Sequence, residues 1–219
     1  MLDVAIINLN LSNLHSVSAA CKKVGLKSQV TSDKKVISNA KSIILPGVGS
    51  FSEAMLRIKK LNLESIIKKS INEDKPFLGI CLGMQLLFSK SEEFGKSKGL
   101  SIFKGNVKKF KLNKIKDSKF PVPHVGWNKI FTDLKKKELD KTIFKNLKKE
   151  EFMYFVHSFF VVPNNKKIIF SKTKYGKVDF CSSVYYKNLF AVQFHPEKSG
   201  LLGLKIYKNF SNLIKNRKK

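Results

Sequence analysis

Short, continuous apolar runs alternate with amphipathic stretches through the first half of the chain. The runs at 3–9 (DVAIINL), 27–31 (KSQVT), 41–49 (KSIILPGVG) and 75–80 (KPFLGI) have strand length. Between them, 13–25 sets Leu14, Val17, Cys21 and Val24 at helical spacing, with Gly25 as a stop. Residues 51–62 and 63–74 are amphipathic helices, and 82–91 (LGMQLLFSKS) reads as another helix. Unbroken apolar strands separated by helices imply a parallel sheet covered on both faces.

The second half changes character. Strands are expected at 103–112, 125–131, 151–162, 166–173, 179–186 and 189–194. A closing helix from 200 onward carries Leu201, Leu204, Tyr207, Phe210 and Leu213 on one stripe. The lysine-rich segments 111–119 and 132–150 read as surface loops with a turn or two of helix. No repeat and no separating linker is visible. The expectation is a single α/β domain over 1–219, with a mostly parallel central sheet, helices on both faces, and antiparallel strands added in the second half.

Composition alters this picture little. The 219 residues are 42% hydrophobic, enough for a folded core. The net charge of +27 raises the question of a polyanionic partner. The charge is almost all lysine, Arg57 and Arg217 being the arginines, and it is spread along the chain. Readers of bases and phosphates favour the arginine fork, so the excess speaks to solubility rather than to nucleic acid. No apolar run approaches the roughly 20 residues of a membrane span. The start, MLDVAIINLNL, lacks a basic n-region and does not read as a signal peptide. Three cysteines without tight spacing argue against a disulfide framework, and the cytoplasm is the expected compartment.

One cysteine stands apart. In Gly79-Ile80-Cys81-Leu82-Gly83 a strand leads in and a helix leads out, the pattern of a nucleophile elbow. Such a turn exposes its central side chain at the C-terminal edge of a sheet, near helix N–H groups that favour a thiolate. A cysteine nucleophile needs a base and the base an orienter. His195 and Glu197 flank Pro196 in AVQFHPEKSG, just past a short apolar strand, where a stiff turn can hold imidazole and carboxylate together. LPGVGSF (45–51) ends the third strand with two glycines, whose backbone N–H groups, with that of Leu82, could face a developing negative charge. No C-x-x-C, H-x-x-x-H, G-x-G-x-x-G or P-loop is present, so neither a metal nor another cofactor is expected. Cys21 and Cys181 read as core residues.

With these residues in view, the sequence resembles the triad-type class I glutamine amidotransferases, whose fold is flavodoxin-like. PGVGSF, CLGMQLLFSKSEE, PHVGWN, YFVHSFF and QFHPEKSGLLGL, in this order, narrow the resemblance to the HisH family of glutaminase subunits of imidazole glycerol phosphate synthase. The resemblance implies Cys81 as nucleophile, His195 as proton shuttle and Glu197 as its orienter. It implies Gln85, Glu93, Ser158 and Phe159 beside the substrate glutamine, and Gly47, Val48 and Gly49 as the oxyanion strand. Asn13, Trp127, Tyr154 and Lys198 match positions facing a (β/α)8-barrel cyclase (HisF-like), which takes up the ammonia in histidine biosynthesis. His124 and His157 are read as structural or interface residues. One departure is visible. The family's first strand leads into a Tyr-Gly-x-Gly-Asn turn, whereas NLNLSN (8–13) has Asn10 and Ser12 in place of the glycines. A glutaminase serving a different synthase, such as one amidinating a surface sugar, is therefore the alternative reading.

Overall fold

The computed structural model describes residues 1–11, 14–111, 120–132 and 136–216. The first half runs β1 (Val4–Ile7), α1 (Leu14–Lys23), β2 (Ser28–Thr31), α2 (Lys34–Asn39), β3 (Ser42–Gly47), α3 (Phe51–Lys60), α4 (Glu64–Asn72) and β4 (Phe77–Cys81). It continues with α5 (Leu82–Leu86), β5 (Phe88–Ser91), β6 (Ser97–Lys98), β7 (Phe103–Lys109), β8 (His124–Phe131) and α6 (Lys136–Leu139). The last elements are β9 (Glu150–His157), β10 (Phe159–Pro163), β11 (Ile169–Tyr175), β12 (Val178–Tyr186), β13 (Leu189–Val192) and α7 (Gly200–Asn216).

β2, β1, β3, β4 and β13 lie side by side in that order, all parallel. β12, β10, β7, β5 and β6 extend the same sheet, and β11, β8 and β9 branch from β12. β1, β4 and β13 carry apolar side chains or glycine at every position because both of their faces are covered, whereas β2, at the end of the strand order, is Ser-Gln-Val-Thr and partly exposed. Val4, Ile6, Ile44, Leu78 and Ile80 pack with residues of α1 and α7. Ala5, Ile7, Ile43, Leu45 and Phe77 pack with residues of α2, α3 and α4. Each such Leu, Ile or Phe removed from water contributes about 1.5–3 kcal/mol.

The sheet register positions the site. β13 runs parallel to β4 with Val192 opposite Ile80. Cys81 and Gln193 therefore leave the sheet at neighbouring C-terminal ends, with His195 just beyond, where open α/β sheets place their chemistry.

Three local readings differ from the structure. The expected helix 82–91 ends at Leu86, and Phe88–Ser91 is a strand pairing with β7. The carbonyls of Leu86, Leu87 and Phe88 accept from the amides of Leu100, Phe103 and Ser101 instead of continuing the helix. A continuous Leu-Leu-Phe run suits a buried strand as well as a helix, and pairing with a distant segment decided it. The expected strand 151–162 is two, broken at Ser158: β9 pairs with β8, and β10 with β7 and β12. The segment 166–173 opens with a 3-10 turn at Lys166–Ile168 before β11 begins. α2 had no counterpart in the hydrophobic pattern. Its signal is Asp33, whose carboxylate caps the helix by accepting from the Lys35 and Val36 amides.

Candidate active site

Cys81 closes β4 with φ 53° and ψ −108°, a conformation that costs a non-glycine residue energy and is sustained by its surroundings. Those surroundings explain the two flanking glycines. A Cβ on Gly83 would collide with the Leu45 carbonyl of β3. A Cβ on Gly79 would lie 3.1 Å from the Ala191 Cβ and 3.2 Å from the Gly83 carbonyl. The glycines thus let α5 sit directly on the sheet, which aims Cys81 outward. α5 has only five residues, so its dipole is weak, and the charged partner that interacts with the sulfur is His195.

His195 Nδ1 and Glu197 Oε1 are 2.7 Å apart, with side chains 3% and 5% exposed. The turn that carries them is stitched to β9. The His195 amide donates to the Tyr154 carbonyl at 2.9 Å. Ser199 Oγ donates to the His195 carbonyl at 2.7 Å and accepts from the Tyr154 amide at 3.0 Å. Burial disfavours the charged imidazole, but the neighbouring Cys81 sulfur and then Glu197 outweigh it, raising the His195 pKa to about 10. His195 Nε2 and Glu197 Oε2 are buried without hydrogen-bond partners. The arrangement can hold a thiolate–imidazolium pair and deliver a proton from Nε2.

A cavity of about 590 Å³ opens beside Cys81. Of the residues expected at the substrate, Gln85, Glu93, Ser158 and Phe159 all line it, as do Val48, Gly49 and Leu82 of the expected oxyanion group. Gly47 lies behind them: it pairs with Cys81 across β3 and β4, and a Cβ there would come within 2.9 Å of the Leu82 Cβ. Glu93 Oε2 accepts from the Phe51 amide at 2.6 Å, which anchors the carboxylate to the start of α3 and leaves Oε1 for another donor.

Several lining residues escaped the sequence reading. Glu92 and Lys109 add one charge of each sign, and Val156 accepts a contact from Cys81 Sγ at 3.8 Å through its carbonyl. Gln193, fully buried and outside the lining, donates from Nε2 to Cys81 Sγ at 3.5 Å. Its signal was its place at the head of the QFHPEKSGLLGL motif, two residues before the histidine, at a strand end that the sequence could not set beside Cys81. Cys21 and Cys181 are buried, and burial pushes both thiols up to about 12.

Trp127, Tyr154 and Lys198 form one surface group. The Trp127 and Tyr154 rings are 6.1 Å apart, and Lys198 Nζ lies 5.9 Å from the Tyr154 ring centre. Trp127 is exposed, as are Val125 and Phe152 on the same two paired strands and Leu201 at the start of α7. Asn13 lies outside the described residues. Asn10, where a glycine was expected, has φ 57°, a left-handed conformation that asparagine tolerates better than most residues.

The family profile described as glutamine amidotransferase class-I matches residues 5–212. The chain belongs to the class-I glutamine amidotransferases. Among curated amidotransferases of this kind, imidazole glycerol phosphate synthase subunit HisH of Caldanaerobacter subterraneus subsp. tengcongensis is 47% identical over 213 residues, 97% of this chain and 98% of that protein. The subunit of the same name from Aquifex aeolicus is 46% identical over 206 residues, 94% of each chain. The solved structure of PurLQS from Thermotoga maritima superposes with a TM-score of 0.66 at 21% identity, covering 98% of each chain, and shares the amidotransferase fold. Among the described residues, no helix is long and apolar enough to cross a membrane.

Proposed function

We propose that this amidotransferase hydrolyses glutamine to glutamate and ammonia and delivers the ammonia to a synthase partner. The observation that carries the reading is Cys81 on the wall of a cavity, backed by a buried imidazole whose charged form is favoured by the Cys81 sulfur and then by Glu197. The Cys81 thiolate attacks the side-chain amide carbon of glutamine. The C–N bond breaks as His195 Nε2 gives its proton to the departing nitrogen, leaving ammonia and a glutamyl thioester. Water then loses a proton to His195, adds to the thioester carbonyl and expels the thiolate as glutamate forms. Backbone amides of Gly47, Val48, Gly49 and Leu82 are the candidates for holding the oxyanion. Glu93 Oε1 is the candidate for the α-ammonium group of glutamine, with Gln85, Ser158 and Phe159 enclosing the rest.

The partner we infer is the barrel cyclase of imidazole glycerol phosphate synthase, because the curated relatives carry that synthase's subunit name. Exposed Val125, Trp127, Phe152 and Leu201, with Lys198 among them, offer an apolar docking face of the kind that protein interfaces cover. A cytoplasmic location agrees with three unpaired cysteines. The departure at Asn10 favours a second reading, in which the same glutaminase feeds a different synthase.

Glutamate release from glutamine, measured with and without a histidine-pathway cyclase for wild type and Cys81→Ser, tests both. Stimulation by the cyclase and loss in Cys81→Ser are expected. Equal rates for the two proteins would remove the nucleophile assignment. A cyclase that neither binds nor stimulates would favour the second reading.

A further inference from the structure

Polar side chains next to the triad, buried except for the half-buried Asn128, form one continuous hydrogen-bonded train. Asn128 Nδ2 lies 3.3 Å from His124 Nε2, and His124 Nδ1 lies 3.1 Å from His157 Nε2. His157 Nδ1 is 2.8 Å from the Phe159 carbonyl. The same carbonyl accepts from Gln85 Nε2 at 3.0 Å, whose other proton reaches Gln193 Oε1 at 3.1 Å. Gln193 Nε2 then donates to Cys81 Sγ at 3.5 Å.

The direction of every bond follows from its ends. A carbonyl only accepts, so His157 Nδ1 carries the proton. In the neutral ring Nε2 then accepts, which requires a proton on His124 Nδ1. His124 Nε2 is left to accept from the Asn128 amide, whose other proton goes to the Lys174 carbonyl at 3.0 Å. Both imidazoles are neutral Nδ1–H tautomers, the reverse of the Nε2–H form that neutral histidine prefers in water. An extra proton on either ring would set N–H against N–H. Burial also disfavours the charged rings, pushing His124 down to about 4 and His157 to about 3. His124 is clamped between Phe155 and Tyr175, with ring centres 4.9 and 3.9 Å away.

The far end of the train touches the reacting atom. Gln193 has no exposed surface, lies outside the cavity lining and commits its amide oxygen to Gln85. Its remaining contact of consequence is the sulfur. Phe159 and Gln85, which hold it there, both line the cavity, so the same bonds shape the pocket wall and aim the donor.

We propose, on the glutaminase reading above, that Gln193 is a catalytic residue donating to the Cys81 sulfur, and that His124 and His157 are positioning residues that keep Phe159, Gln85 and hence Gln193 in place. A donor on sulfur favours thiolate over thiol and selects the side-chain rotamer that faces the cavity.

The pH dependence of Cys81 alkylation by iodoacetamide reads this directly and requires no glutamine turnover, so failure of the glutaminase reading would leave the test standing. Gln193→Met keeps the volume and removes the donor. Its alkylation midpoint should move up by about one pH unit, a tenfold change in the thiol–thiolate equilibrium. His157→Leu should shift it in the same direction. His157→Asn puts an amide nitrogen where Nδ1 stands and should restore the wild-type midpoint, a rescue that mere space-filling would not produce. An unshifted midpoint in Gln193→Met, or identical behaviour of His157→Asn and His157→Leu, would overturn the proposal. Nitrogen-15 NMR of the wild-type chain serves where a variant does not fold. Both rings should be Nδ1–H tautomers at neutral pH, and an Nε2–H signal from either would overturn the train.

Discussion

Replacing Glu197 by glutamine keeps the shape of the site and removes its charge. The carboxylate sits 2.7 Å from His195 Nδ1, with both side chains almost fully buried, so solvent screens the pair little. Charge centres about 4 Å apart at an effective dielectric near 20 attract by about 4 kcal/mol. A neutral amide in the same place retains a hydrogen bond of about 1 kcal/mol. The imidazolium therefore loses about 3 kcal/mol of support, which is about two orders of magnitude in rate if the proton on His195 is needed in the transition state. A glutamine can also present its N–H to Nδ1 and reverse the imidazole tautomer, which would add to the loss. The assay is initial-rate glutamate release at saturating glutamine, with a thermal melt to verify the fold. A folded Glu197→Gln that keeps kcat within about threefold of wild type would refute the charging role assigned to this carboxylate.

Three further outcomes follow from the same geometry. Gly83→Ala drives a methyl group into the Leu45 carbonyl; overpacking of this kind costs about 1–3 kcal/mol, so Tm should fall by about 2–4 °C per kcal/mol and glutamate release should drop with the displaced elbow. A wild-type Tm would mean that α5 does not rest on β3 as described. Mass spectrometry after brief iodoacetamide treatment of the folded chain should find the label on Cys81 alone, since burial holds Cys21 and Cys181 near 12. Early labelling of either would contradict the packing around them. The folded pKa of His195 is raised from 6.5 to about 10, so its stabilising contribution is complete below about pH 6.5 and is lost as pH rises through about 10. Cys81→Ser removes the sulfur, the strongest of the influences raising that pKa, and should move the alkaline fall in Tm to lower pH. An unmoved fall would separate His195 from Cys81.

Much of the site could be read before any coordinates. Cys81 was marked by its two glycines, and His195 and Glu197 by a stiff turn after a strand, because these are local requirements of an elbow and an orienter. Gln85, Glu93, Ser158 and Phe159 came from family resemblance, and the structure gathers all four around one cavity. Gln193 and Glu92 lie inside the motifs QFHPEKSGLLGL and CLGMQLLFSKSEE, but the motifs assign them no role, and Lys109 in a lysine-rich chain looks ordinary until its neighbours are known. His124 and His157 were assigned structural or interface roles, and only their distances to Asn128, Phe159 and each other show the bonds that they make.

By itself the sequence determined the parallel core, since strands buried on both faces must be apolar at every position, and it determined the chemistry that the elbow can carry. It could not determine where Leu87 and Phe88 go, because an apolar run satisfies a helix and a buried strand equally until β7 supplies the pairing. Nor could it show that Gly83 is required by the Leu45 carbonyl rather than by the turn itself. Those outcomes belong to the tertiary structure, because they depend on contacts between segments far apart in the chain. The register of β13 against β4 is the central case: Val192 opposite Ile80 is what turns four separate residues, Cys81, Gln193, His195 and Glu197, into one site.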